Sequence, residues 1–320
     1  MRSSVENFLS CVRGHPSLLE KRGQTARILL GADNRQEKVA RDILRYCPTA
    51  QNLSLQYVNL QKQDAQQIKQ AMDACDMFIF MYDSSLCADI SPHGPEFIRP
   101  LKNKMTEHWK KSVLLREYGE YFVEAFSNHI DDIALRNHGI INAAQQARQV
   151  TFLDGLGGAL TGTLGERQAW KSLDGRNHYD LMPGEVATRI VDLNGSLTFA
   201  GTFLSTVPFA IKYGIIEPIL QLEIVQSRVV SAYSDNKLLQ ADFNLYLDQC
   251  AGNRIVEEFG IGTNVDVNLH GLNASFEERH AGLHLGLGGG ERASHHLDLI
   301  FSSGKIFFDD RLIFDGVFHL

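Results

Sequence analysis

Residues 26–82 read ARILLGADNRQEKVARDILRYCPTAQNLSLQYVNLQKQDAQQIKQAMDACDMFIFMY, and the alternation inside this stretch decides the fold class. The apolar runs at 26–31, 53–60 and 77–82 have strand length, while 37–46 and 64–75 repeat their apolar residues at helical spacing. Strands separated by helices of this length pair in parallel, because each helix carries the chain back across the sheet before the next strand begins. A further apolar run at 112–115 and a helical pattern over 130–148 extend the series.

From about residue 149 the texture changes. VTFLDG at 150–155, GALTGTL at 158–164, GSLTFAGTFL at 195–204 and KIFFDDRLIFDG at 305–316 alternate polar with apolar residues and break at Gly, Asn and Asp, the pattern of antiparallel hairpins. One helix is expected over 236–251, where Leu238, Leu239, Phe243 and Leu247 share a stripe. The expected organisation is an α/β domain over 1–148, a parallel sheet with flanking helices, followed by a β-rich α+β domain over 149–320.

Composition narrows the function classes. The chain has 320 residues, 44% of them hydrophobic and 22% charged, enough to bury a core without covalent staples. Its five cysteines form no CxxC pair, which argues against a disulfide framework or a thiolate zinc site and for a reducing cytoplasm. Charged residues punctuate positions 1–30, so neither a signal sequence nor a membrane span is expected there. A net charge of −7 with no basic run argues against nucleic acid as a partner.

The parallel pattern invites a dinucleotide site, but Gly31 is followed by no second glycine in register, and Gly155, Gly157 and Gly158 lie between strand-like runs. Ser84-Ser85 and Ser302-Ser303 lack the GxSxG elbow, and Cys87 has only His93 near it, so serine or cysteine catalysis is not expected.

Histidine carries the positive signal. Five of the twelve, His270, His280, His284, His295 and His296, fall within 27 residues. Gly282 to Gly288 alternates like a buried strand and points His284 to one face, with small glycines beside it. His296 and Asp298 are two apart, a spacing that puts imidazole and carboxylate on one strand face. Two histidines and a carboxylate hold a divalent ion and leave positions open to water and substrate. Glu185, after a Pro-Gly turn, and Glu258, opening EFGIGTN, are isolated acids whose setting alone does not mark them. Arg167 offers a planar fork suited to a substrate carboxylate.

Taken in order, VTFLDG, the Gly165–Trp170 stretch, MPGEVAT at 182–188, EEFGIGTN at 257–264, FEERHAGLHLGLG at 276–288 and SHHLDLI at 294–300 resemble the thermophilic-type metallo-aminopeptidases and the related 2,5-dihydroxypyridine 5,6-dioxygenases. The resemblance spans roughly residues 150–300. It implies that Glu185, Glu258, His284, His296 and Asp298 are metal ligands, or that Glu185 or Glu258 serves instead as general base. It also implies that Glu278 matches an acidic residue lying before the first ligand histidine, in a substrate-binding role beside Arg167. Zinc is the implied metal for a peptide or small-amide hydrolase, with cobalt or manganese as substitutes, and iron(II) for a ring-cleaving dioxygenase using His284, His296 and Asp298. The aminopeptidases carry a tyrosine shortly after that histidine, and residues 285–291 here contain none. The chain also resembles peptide-binding proteins of crocagin-type ribosomal peptide biosynthesis, which implies peptide capture without turnover. A homodimer is implied by the same resemblance.

Overall fold

The computed structural model describes residues 1–21, 23–47, 52–84, 94–205 and 209–320. The chain divides into two compact units: Met1–Ile130 with Leu173–Pro183 and Ala274–Phe276, and Asp131–Ser172 with Gly184–Asn273 and Glu277–Leu320. Ser85, Cys87 and His93 lie outside the described residues.

The first unit contains α1 (Arg2–Gly14), β1 (Ala26–Ala32), α2 (Glu37–Tyr46), β2 (Leu53–Asn59), α3 (Ala65–Ala74), β3 (Met77–Tyr82), α4 (Lys102–Glu107), β4 (Ser112–Arg116) and α5 (Phe122–Ala125). Its strands run parallel in the order β2-β1-β3-β4. The strands and helices read from residues 26–82 are all present. Asp64 caps α3 by accepting from the amides of Gln66 and Gln67, and Ile68 and Met72 of that helix join Leu29, Val58, Phe78 and Phe80 in one buried cluster. Helix α1 was not anticipated, although Val5, Phe8, Leu9 and Val12 recur at helical spacing and are buried. Phe8 meets Phe122 and Phe126 edge-on, with centroids 5.4 and 5.1 Å apart.

His15 follows α1 and is 1% exposed. The Ser17 amide donates to its Nδ1 at 3.2 Å. Burial lowers its pKa from 6.5 to about 4. The folded state therefore binds fewer protons here than the unfolded chain, so this stabilisation is complete above pH 6.5 and drains away as pH falls toward 4. Between pH 7 and 4.5 the wild type should lose on the order of 2 kcal/mol more than a His15→Gln variant. Denaturant unfolding at the two pH values measures this, and equal losses would show that the imidazole is not the group responsible.

The second unit contains α6 (Ile130–Gln145, whose first residue falls in the first unit), β5 (Gln149–Leu153), β6 (Ala159–Thr163), β7 (Lys171–Leu173, whose last residue falls in the first unit), β8 (Glu185–Thr188), β9 (Asn194–Ser205), α7 (Phe209–Tyr213), β10 (Ile216–Val225) and β11 (Arg228–Ser234). It continues with α8 (Lys237–Gln249), β12 (Val256–Gly262), β13 (Gly282–Leu287), β14 (Leu297–Phe301), β15 (Lys305–Phe308) and β16 (Arg311–Phe314). Twelve strands form one sheet, with the path β16-β15-β5-β6-β9-β14-β13-β12-β8-β7 and the β10–β11 hairpin branching from β9. The ladders with assigned register are antiparallel. This is the β-rich α+β arrangement expected from the Gly-punctuated sequence. The strand at the β16 edge is met by the chain's own tail, through a bridge between Phe314 and Phe318 and a His319 amide donating to Ile313. Among the described residues no helix is long and apolar enough to cross a membrane.

Candidate metal centre

Four neighbouring strands, in the order β14-β13-β12-β8, build the centre from simple alternation. Val186, Phe259, Ile261, Leu283, Leu285, Leu287, Leu297 and Leu299 turn to one side and join the apolar core. The residues between them, Glu185, Glu258, Gly260, Gly262, Gly282, His284, Gly286 and Asp298, therefore share the opposite face. Register aligns them: Glu185 lies opposite Gly262, His284 opposite Gly260, and Gly286 stands between Glu258 and Asp298. A β-bulge between Val256 and Glu258 makes this possible, since it lets Val256 enter the core while Glu258, two residues on, turns to the other face.

The glycines are required by volume. A Cβ on Gly260 would come within 1.9 Å of His284 Nε2, and one on Gly286 within 2.7 Å of the His296 ring and 2.9 Å of Glu258 Cβ. Two donor groups result: Glu185, Glu258, Glu278 and His284 in one, and Glu258, His296 and Asp298 in the other, the donor atoms of each lying within 4.8 Å of one another. Glu258 belongs to both.

In the first group, His284 Nε2 faces Oε1 of Glu185, Glu258 and Glu278 at 3.4, 3.5 and 3.8 Å. His284 is fully buried, yet among the described residues neither ring nitrogen has a hydrogen-bond partner, which ordinarily costs free energy. Donors bound to one tetrahedral zinc at about 2.0–2.2 Å sit about 3.3–3.6 Å apart. The separations to Glu185 and Glu258 fall in that range, and the one to Glu278 lies just beyond it. In the second group, His296 Nδ1 lies 3.3 Å from the carbonyl of Gly288, to which it can only donate, and its Nε2 lies 2.8 Å from Asp298 Oδ1. Among the described residues, no donor meets that buried oxygen in hydrogen-bonding geometry. Buried orphaned donors and a glycine-lined cradle fit a divalent cation in each group.

Neighbouring elements fix these side chains. Asn137 of α6, fully buried, donates to the Glu185 carbonyl at 3.0 Å and accepts from the Thr263 hydroxyl at 2.6 Å. The Tyr246 hydroxyl of α8 lies 2.7 Å from the His295 carbonyl, Asn253 accepts from the His295 amide at 2.8 Å, and Ser205 donates to the His296 carbonyl at 2.5 Å. Glu277, fully buried, accepts from the amides of His270, Gly271 and Leu272, which anchors the turn bearing Glu278 and Arg279. These contacts hold the backbone on both sides of the donors.

The electrostatics are those of crowded, buried charge. Burial works to raise the Glu185 pKa, but Arg279 and His284 outweigh it and hold that carboxyl down to about 2. Burial lifts Glu278 to about 8, helped by the charges of Glu185 and Asp298 and opposed by Arg279. Burial works to lower the His284 pKa, but the carboxylates of Glu185 and Glu258 outweigh it and raise it well above its ordinary value. Asp298 raises His296 to about 9.

His284, His296 and Asp298 thus stand on one face with Glu185 and Glu258. They divide between two groups that meet at Glu258, where the sequence pattern suggested a single triad. Glu278 lies among the donors of the first group, while Arg167 is exposed in the turn after β6 and belongs to neither. Arg279 was not singled out in the sequence, where a charge in EERH reads as surface. It is 1% exposed and pairs with Glu185 and with Glu278 Oε2, the latter at 2.9 Å.

No protein-family model and no curated protein sequence matches the chain. Solved structures do resemble it. The 2,5-dihydroxypyridine dioxygenase of Pseudomonas putida KT2440 superposes with a TM-score of 0.60 at 14% identity, covering 99% of this chain and 96% of that one. AmpT from Thermus thermophilus superposes with a TM-score of 0.59 at 13% identity, covering 100% and 99%. At these identities the likeness is one of fold.

Proposed function

We propose that this chain is a divalent-metal-dependent hydrolase that cleaves a peptide or small amide, with zinc as its metal. The observation that carries the reading is the convergence of three carboxylate oxygens on the unpartnered Nε2 of a fully buried His284. Glu185, Glu258, Glu278 and His284 would hold one ion, and Glu258, His296 and Asp298 a second, with Glu258 common to both. When bound, such ions acidify a water toward neutrality and polarise a carbonyl. The chain's own share is positional. Glu258 is the donor side chain reached from both groups, and with 23% of its side chain exposed it is also open to solvent. Where it is not taken up as a ligand, that placement suits it to accept the proton released by a nucleophilic water. His296, 43% exposed, marks the side from which a substrate would enter, whereas His284 is sealed behind it. The carboxylate-rich first group favours hydrolysis over a ring-cleaving triad, because His284 is grouped with three glutamates and apart from His296 and Asp298.

Elemental analysis of gently purified protein, followed by assay of aminoacyl-nitroanilides and short peptides with added zinc, cobalt or manganese, tests the reading. Bound zinc with metal-dependent release of product is expected. Iron(II) with oxygen consumption on a dihydroxylated ring would replace the hydrolase by a dioxygenase. Tight peptide binding without metal or turnover would replace both by a peptide-binding role.

A further inference from the structure

Arg279 is an unusual neighbour for a metal centre. It sits on the turn Glu277–Arg279, is 1% exposed, and is the largest of the fully buried side chains. Its guanidinium pairs with Oε2 of Glu185 and Oε2 of Glu278, while Oε1 of each of those carboxylates faces His284 Nε2. Each carboxylate therefore has one oxygen on a fixed cation and the other on the donor cradle. A buried carboxylate without a counter-charge is strongly destabilising, and a guanidinium is a permanent charge with a fork that fits such oxygens.

We infer that Arg279 is a resident cation that stands in for the divalent ion: it keeps the carboxylates of the His284 group assembled when no metal is bound, and weakens the metal's hold when one is. The inference rests on the metal reading only for the identity of the incoming ion. Two consequences follow from charge alone. The metal-free protein keeps its fold, because Glu185 and Glu278 remain paired. Removal of Arg279 leaves the carboxyl groups of Glu185 and Glu278 to the metal, whose binding then meets no opposing fixed positive charge.

The test compares wild type, Arg279→Met and Arg279→Lys, each stripped with chelator and titrated with zinc against a chromophoric competitor, with thermal unfolding of both forms. Arg279→Met, purified with zinc where it needs metal to fold, is expected to bind zinc at least tenfold more tightly than wild type. Its metal-free form should melt well below metal-free wild type and recover on adding zinc. Arg279→Lys, which keeps the charge, should stay near wild type in both measurements. Equal or weaker zinc binding by Arg279→Met would overturn the inference, as would metal-free wild type that has lost its cooperative transition. Should wild type take up no zinc while Arg279→Met does, the metal reading fails and the stand-in role holds in full.

Discussion

Replacing Gly260 by alanine is expected to abolish zinc binding at the His284 group and to lower stability by about 1–3 kcal/mol, the usual cost of forcing a methyl group into a filled interior. The new Cβ would lie 1.9 Å from Nε2 of His284, 2.3 Å from Cε1 and 2.6 Å from Cδ2, so the ring must leave its place. It has no free space to enter, since His284 is fully buried and its flanking Leu283 and Leu285 are locked in the core. The displaced atom is the donor on which three carboxylates converge. Loss of affinity should therefore exceed the roughly 10–100-fold typical of an altered outer-shell partner. Zinc titration with thermal unfolding measures both effects. A variant that melts lower but binds zinc as tightly as wild type would remove His284 from the ligand set.

The glycines illustrate what the sequence made legible. Alternation of apolar residues with Gly, His and Asp in GLHLGLG and HLDLI put His284 and Asp298 on strand faces, and the pattern survives in β13 and β14. The parallel sheet was equally plain, because its strands are short apolar runs set off by amphipathic helices. What alternation could not give is the bulge before Glu258. Counting by twos puts Val256 and Glu258 on one face, and only the extra residue, Glu257, which pairs with Arg189 at 3.0 Å, separates them. The role of Arg279 was hidden for a related reason. A buried cation depends on partners far away in sequence, here Glu185, and nothing in local composition distinguishes it from a surface charge. The passage of residues 173–183 and 274–276 into the first unit is likewise a matter of long-range contacts that no local pattern encodes.

Glu258→Gln should be the most damaging single-atom change at the centre. The substitution keeps size and a carbonyl oxygen but removes the charge and turns one oxygen into an N–H donor, which cannot ligate a cation. Because Glu258 belongs to both donor groups, its effect should differ in kind from that of Asp298→Asn, which touches the second group alone. Elemental analysis after dialysis is expected to show Glu258→Gln depleted of both zinc equivalents, with hydrolysis lost by on the order of 1000-fold, as when the activated water goes with the ions. Asp298→Asn should retain the equivalent held by Glu185, Glu258, Glu278 and His284. If both variants lose the same single equivalent, Glu258 serves only the His296 group, and the two groups are independent sites without a shared carboxylate. The comparison is informative because the two carboxylates flank the same glycine, Gly286, on adjacent strands. A difference between them then reports which donors each one serves and cannot be assigned to a general weakening of the sheet.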